Sequence, residues 1–352
     1  MSTVLTIIIA LIVFGAIVFF HELGHFLLAK KNGVGVTEFS LGMGPRLYSF
    51  EKGGTKYSLK LLPFGGSCMM VGEDEDSEDK NAFNNKGVWA RISVIAAGPI
   101  FNFILAFIFA VIVLGVVGYD KPQITGVMEG YPAQEAGLRE GDIITELNGK
   151  KIKLYREVTL YMLVHIGEPV TITVDRNGTS YTTTIQPKQN ENGAYYMGIY
   201  SSSGRVKAKP LEILQYSFYE IRYQIDMVIQ SLKMLFTGKL GVNDLSGPVG
   251  IVNMVGEVVE NSTSTQVSMT TNLFSILLNL LNFSIMLSAN LGVMNLLPIP
   301  ALDGGRLVFL LIEAIRGKPI DRQKEGMVHF VGLMLLMVLM VYVMFNDIRK
   351  LF

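Results

Sequence analysis

Residues 4–20 carry no charged side chain, and this apolar run continues through His21-Glu22-Leu23-Gly24-His25 into Phe26, Leu27, Leu28 and Ala29 before Lys30 and Lys31 close it. A stretch so long and apolar reads as a membrane-crossing helix, because a helix pairs its own backbone groups where no water is present. Ionisable side chains inside such a span cost about 3 kcal/mol each unless they find partners. Their spacing names one. On a helix, residues i and i+4 share a face, so His21 and His25 can turn two imidazole nitrogens toward one metal ion. Glu22 flanks them, as in H-E-x-x-H arrangements where the histidines bind zinc and the glutamate takes a proton from water. At about 1.5 Å of rise per residue, the motif lies roughly 7–14 Å along the helix from Lys30. A metal held there would sit within the membrane, nearer the basic end.

Positive mean hydropathy and zero formal net charge over 352 residues point to several spans and give no basic surplus for nucleic acid. The single cysteine, Cys68, excludes an intrachain disulfide and a cysteine-based metal site. The N-terminal run has no basic start and exceeds a signal-peptide core in length, so it is read as a retained span over residues 4–29. Further spans are expected at 88–117, where Ala96, Ala97, Gly98 and Ala106 permit close packing, at 273–297 and at 328–345. The apolar stretch 307–315 is too short to cross. Lysine and arginine concentrate in 30–91 and 306–324, which the positive-inside rule puts in the cytoplasm. Both termini and the segment 119–271 then face outside, and the metal lies toward the cytoplasmic side.

Alternation in Tyr57-Ser58-Leu59-Lys60-Leu61, with Gly65-Gly66 after it, suggests a hairpin-like strand element over 57–71. The acidic run 73–78 reads as a solvated loop. In the outward segment, the strand patterns at 170–174 and 181–185 flank Asn177-Gly178, a hairpin signal. Leu214, Phe218, Ile221, Ile225, Val228, Leu232 and Leu235 then recur at steps of four and three, which predicts an amphipathic helix lying along the membrane surface.

Two histidines leave a catalytic zinc one protein ligand short. Asp303 is the best candidate for the third. It stands in Asn295-Leu296-Leu297-Pro298-Ile299-Pro300-Ala301-Leu302-Asp303-Gly304-Gly305, where two prolines end a span and the glycines let backbone come close. A carboxylate is thereby presented on irregular backbone at membrane depth. His165 and His329 are read as surface or interfacial residues, Asn279, Asn282 and Asn290 as packing amides, and Cys68 as a small apolar packer.

Together these motifs resemble the site-2 proteases, intramembrane zinc metalloproteases of the bacterial regulator-of-sigma-E-protease type, over nearly the whole chain. His21-Glu22-Leu23-Gly24-His25 is similar to the family's first motif, and Asn295 through Leu302-Asp303-Gly304-Gly305 to its second. Gly98-Pro99-Ile100-Phe101-Asn102 resembles its Gly-x-x-x-Asn element, residues 132–148 its PDZ domain, and Leu245-Ser246-Gly247-Pro248-Val249-Gly250 a further recurrent segment. The resemblance implies zinc at His21, His25 and Asp303, Glu22 as general base, and Asn102, Asn295, Gly65 and Gly66 near the substrate. It also implies that 57–71 is a membrane-re-entrant β element that pairs with substrate. Ser67-Cys68-Met69-Met70 departs from the aromatic and basic residues that often follow the paired glycines there.

The expected fold is a polytopic α-helical membrane protein with about four transmembrane helices, the re-entrant β element and an inserted extracytoplasmic PDZ-like domain. Its parts would be 1–118, 119–205 (PDZ-like), 206–271 and 272–352. The expected substrates are single-span proteins of the bacterial plasma membrane, such as anti-sigma factors or remnant signal peptides, cut first outside by a site-1-type protease. Partners are therefore the lipid bilayer and membrane peptides, with no nucleic acid. A metal transporter would also place histidine and carboxylate in the membrane, but its ligands would recur across repeats, and no repeat is visible. A noncatalytic PDZ scaffold would not need Glu22 beside two histidines.

Overall fold

The structure is a computed structural model that describes residues 3–73, 77–190, 192–201, 204–263 and 268–350. In chain order its elements are α1 (Thr3–Lys31), β1 (Val36–Lys52), β2 (Thr55–Met70), α2 (Val88–Val117), β3 (Ile124–Val127), α3 (Pro132–Glu135), β4 (Ile143–Leu147), β5 (Lys150–Lys151) and α4 (Tyr155–Val164). They continue as β6 (Val170–Arg176), β7 (Thr179–Ile185), β8 (Lys188–Gln189), β9 (Tyr195–Tyr196), β10 (Ile199–Ser201), α5 (Pro210–Phe236), α6 (Pro248–Asn261), α7 (Met269–Leu296), α8 (Asp303–Arg316) and α9 (Arg322–Arg349). The chain divides into two compact units, one of residues 1–109 with 240–352, the other of residues 110–239.

Helices α1, α7 and α9 of the first unit, and α2, whose last residues from Ala110 belong to the second, are long and apolar enough to cross a membrane, and they match the four expected spans. Two begin earlier than the apolar runs suggest. Ser268 accepts the Thr271 N–H at the start of α7, and Asp321 accepts those of Gln323 and Lys324 at the start of α9. A capped polar first turn is helical without being apolar. The stretch 307–315 lies inside α8, which starts at Asp303. A second buried carboxylate organises the other end of this unit: Asp347 of α9 accepts the N–H groups of Gly247 and Gly250, each at 2.8 Å, and so caps α6.

The β element differs from its expected form. The hairpin turn lies at Gly53-Gly54, both at positive φ, and not at Gly65-Gly66. β1 supplies a whole strand in a segment that read only as a basic loop. Its glycines and charges, among them Glu38, Gly42, Gly44 and Arg46, break the alternation by which a strand is recognised. Each strand bends, so that residues 38–41 pair with 56–59 on one side and with 66–69 on the other. Buried Glu38 is compensated within the element by Arg46 at 2.9 Å and Lys60 at 3.5 Å. Of the acidic run, residues 74–76 lie outside the described residues.

The second unit is built on a sheet of order β5-β4-β6-β7. Val170, Ile172 and Val174 of β6 face its core with Ile144, Leu147, Val158 and Ile185. On the other face Thr171 meets Thr184, and Thr173 meets Thr182, each at 3.1 Å. The β6–β7 turn is Asn177-Gly178 at φ 52° and 85°, the two-residue geometry that the dipeptide predicts. Helix α5 belongs to this unit through charge pairs. Arg156 of α4 bridges Asp120 at 3.0 Å and Glu220 of α5 at 2.9 Å, and Glu157 pairs with Arg222. Along α5, Leu211, Leu214, Phe218, Ile229 and Phe236 are exposed.

Glu220 is 2 % exposed, and burial pushes its carboxyl above the usual range against the pull of Arg156. Removing one partner of a buried pair leaves an uncompensated charge, so Arg156→Met should cost this unit about 3 kcal/mol. Because the folded Glu220 holds its proton more tightly than the unfolded one, stability falls as pH rises from the ordinary glutamate range through the raised value. The loss in Arg156→Met should therefore be larger at pH 8 than at pH 5, and should shrink in Arg156→Met/Glu220→Gln. Hydrogen exchange of α4 and α5 in the full-length protein measures both effects.

Candidate metal centre

His21 and His25 come from adjacent turns of α1, and Asp303 from the first turn of α8. The two Nε2 atoms are 3.2 Å apart. Asp303 Oδ2 is 3.2 Å from that of His21 and 3.4 Å from that of His25. Among the described residues these form the one group of three or more histidine, cysteine or acidic side chains placed to share a metal.

Their hydrogen bonding decides what the triangle can hold. His25 Nδ1 donates to the Val94 carbonyl at 2.9 Å, which leaves its Nε2 as a bare acceptor in the neutral ring. His21 Nδ1 lies 3.1 Å from the Asn102 amide, whose Oδ1, as oriented, is buried without a partner. Turning that amide over, a choice the heavy atoms leave open, lets Oδ1 accept from Nδ1–H and frees His21 Nε2 in the same way. Asp303 Oδ2 is buried with no hydrogen-bond donor. Three lone-pair atoms then face one another, which is repulsive unless a cation lies between them. A point equidistant from all three is about 1.9 Å from each, close to zinc–nitrogen and zinc–oxygen bond lengths of ~2.0–2.2 Å. The residues present therefore fit a zinc ion.

Close backbone approach makes this possible. A Cβ on Gly98 of α2 would lie 2.2 Å from His25 Nε2 and 2.8 Å from His21 Cε1, and one on Gly24 of α1 would lie 2.4 Å from the Ala97 carbonyl. The two helices thus cross glycine against backbone, with the imidazoles over Gly98. Pro99 cannot donate to the Ile95 carbonyl and loosens this turn of α2, beside the Val94 carbonyl that His25 uses. Asn102, fully buried, is fixed in turn by Ser288, whose hydroxyl donates to the Asn102 carbonyl at 2.8 Å. On the other flank, a Cβ on Gly304 would lie 2.1 Å from the Leu297 carbonyl, and one on Gly305 2.5 Å from that of Ile299. Only glycine lets the loop fold back over the start of α8.

A cavity of about 230 Å³ opens on the triangle, lined by Glu22, Gly66, Ser67, Cys68, Glu73 and Arg306 among others. A side chain on Gly66 would run into Glu22, 2.8 Å from its Cγ, so this end of β2 lies directly along the glutamate. Gly65 sits at φ 76°, at the bend before it. Asn102 stands behind His21 and does not line the cavity, and neither does half-buried Asn295 in the last turn of α7. Sequence reasoning missed the ion pair between Glu73 and Arg306 at the cavity edge. Arg306 stands three residues after Asp303, the spacing of one helix face, and that was the available signal.

Comparison with known proteins finds zinc metalloproteases among those this chain is similar to. A model of peptidase family M50 matches residues 9–339. A putative zinc metalloprotease of Clostridium acetobutylicum is 37% identical over 342 residues, covering 97% of this chain and 97% of its own. The zinc metalloprotease RasP of Geobacillus kaustophilus is 33% identical over 100% of this chain and 99% of its own. The regulator of sigma-W protease RasP of Bacillus subtilis is 32% identical over 99% of each. Among solved structures, the PDZ domain of an SdrC-like protein from Listeria monocytogenes matches 24% of this chain and 88% of its own at 26% identity, with a TM-score of 0.21.

Gly98→Ala tests the packing. Its methyl would displace the His25 ring from the triangle, so zinc retained after dialysis against a chelator should fall more than tenfold, an effect on the scale of losing an outer-shell partner. Gly87→Ala, where a Cβ meets nothing within 4 Å, should retain the parent's zinc.

Proposed function

The chain belongs to peptidase family M50, the site-2 protease family of zinc metalloproteases, and from that premise we propose that it cleaves single-span membrane proteins at a zinc site within the bilayer. The observation that carries this reading is the close triangle of His21 Nε2, His25 Nε2 and Asp303 Oδ2, set beside apolar helices with Glu22 next to it. These three residues would hold the zinc. When bound, zinc supplies Lewis acidity to a peptide carbonyl and to the attacking water.

The protein's own groups do the rest. Glu22 takes the water's proton and delivers it to the leaving amine. The Val94 carbonyl and Asn102 fix the two imidazole tautomers, a task that outer partners of metal ligands perform generally. Asn295 does not line the cavity in this structure and would support the oxyanion only by turning toward it. Peptide bonds inside a helix are bonded to one another, so the target must unwind. The Gly65–Met70 end of β2, lying along Glu22, offers a strand to which it can be added. A second cavity, of about 220 Å³, shares Glu73, Ile95 and Arg306 with the first and is ringed by Arg91, Glu313 and Glu325. It provides a polar route for water.

The relative named regulator of sigma-W protease supports membrane-bound regulators, such as anti-sigma factors, as substrates; remnant signal peptides as a second group and a site-1-type protease acting upstream follow from the family resemblance alone. The charge asymmetry of the loops supports a plasma-membrane protein with both termini and the segment 119–271 outside. In that orientation the PDZ-like domain would admit substrates already trimmed and obstruct intact ones. The exposed apolar residues of α5 suit the membrane surface.

Glu22→Gln should keep stoichiometric zinc while losing about two or more orders of magnitude in cleavage of a membrane substrate. Near-normal turnover by the folded variant would rule out the proton shuttle. Asp303→Ala should lose zinc and cleavage together, and a variant that binds zinc as tightly as the parent would show that another group completes the site.

A further inference from the structure

The loop that leads into Asp303 takes an unusual backbone path. Ala301 sits at φ 76°, in the left-handed region that costs an L-residue with a Cβ. Among the described residues, the other two non-glycine residues with positive φ are asparagines, Asn148 and Asn177, which tolerate it through their short polar side chains. Alanine has no such means. Strain of this kind persists only where the surroundings enforce it: the Leu302 N–H donates to the Ile299 carbonyl at 3.2 Å and closes a turn with Pro300 and Ala301 at its centre, and α9 adds a tertiary contact. The Ala301 N–H donates to His329 Nδ1 at 2.9 Å. One turn further along the same face stands Gly332, where a Cβ would lie 2.4 Å from Pro300 Cβ and 2.7 Å from its carbonyl oxygen.

His329, read from the sequence as a surface or interfacial residue, is half-buried near the start of the last span. Its ring packs against Phe309 of α8, with centroids 5.5 Å apart, and its side chain is only 16% exposed. Accepting from Ala301 requires Nδ1 to be bare and the proton to sit on Nε2. Glu325 Oε1, one turn earlier and 4.0 Å from Nε2, favours that tautomer.

We propose that His329 is a positioning residue for the metal centre: it holds Ala301 in its strained conformation and thereby aims Asp303, two residues on, at His21 and His25. Nothing in its sequence neighbourhood marks it for this task, and it touches none of the three residues of the triangle. The inference rests on the reading of Asp303 as a zinc ligand.

The test compares His329→Leu, His329→Asn and His329→Gln with Asp303→Ala in the full-length protein, reading zinc affinity by chelator competition and amide exchange of the peptide spanning 298–303. Asparagine places Oδ1 where Nδ1 stands, whereas glutamine carries its amide one bond further out. His329→Leu is expected to weaken zinc about 10–100-fold and to speed exchange at Ala301. Asn should restore both to within about threefold of the parent on that scale, and Gln should not. If His329→Leu does not fold, the Asn and Gln variants carry the comparison. Parent-like zinc affinity in His329→Leu, or equal losses in Asn and Gln, would overturn the proposal provided Asp303→Ala loses zinc. If Asp303→Ala keeps its zinc, the ligand reading itself fails and the inference falls with it, even where exchange at Ala301 still follows His329.

Discussion

Two histidine Nε2 atoms and a carboxylate oxygen within 3.4 Å of one another, beside helices apolar enough to cross a membrane, form the constraint on which the rest of this structure depends. In water such atoms would be hydrated one by one. Inside apolar packing they repel one another, and a divalent cation resolves the repulsion at the spacing observed. The surrounding structure makes that spacing possible. Glycine at 24 and 98 brings α1 and α2 together, the Val94 carbonyl and Asn102 set the two rings, and Gly304 and Gly305 let the loop from α7 return over the start of α8.

Elsewhere the protein treats buried charge in the same manner, by giving each carboxylate a defined set of donors. Asp347 takes two backbone N–H groups at the start of α6, Glu38 takes Arg46 and Lys60 inside the β element, and Glu220 takes Arg156. Glu22 is different. It takes the Cys68 backbone N–H but faces a cavity, which leaves it available for proton transfer. The contrast between satisfied carboxylates and this one, beside the bare triangle, separates the chemistry from the scaffold.

The β element connects the two themes. A four-stretch arrangement made from two bent strands brings Gly66 against Glu22 while its far end is closed by the Gly53-Gly54 turn. A glycine at 66 is required by the approach of the glutamate, and any side chain there would close the cavity from within. Glu73, just beyond β2, then reaches Arg306 on the same helix as Asp303, so the strand and the ligand-bearing helix are joined at the mouth of the site.

Much of this was legible from residues alone. An uncharged run interrupted by His21, Glu22 and His25 has few physical solutions in a membrane, and four-residue spacing on a helix puts both imidazoles on one face whatever the fold. Pro298, Pro300 and the Gly304-Gly305 pair marked Asp303 as a carboxylate on irregular backbone, and Asn177-Gly178 determined a hairpin through the backbone angles it favours. These are local properties, set by the chain within a few residues. What only the tertiary structure decided is everything that depends on groups far apart in sequence meeting at short range. β1 was hidden because its charges and glycines are tolerated by pairing with β2 on both sides, not by alternation. Asn102 turned out to stand behind His21, away from the cavity, because a helix crossing sets which face looks inward. His329 gained its partner because α9 packs across the loop at Ala301, twenty-eight residues away, and no pattern within a single helix encodes the strained backbone of another segment.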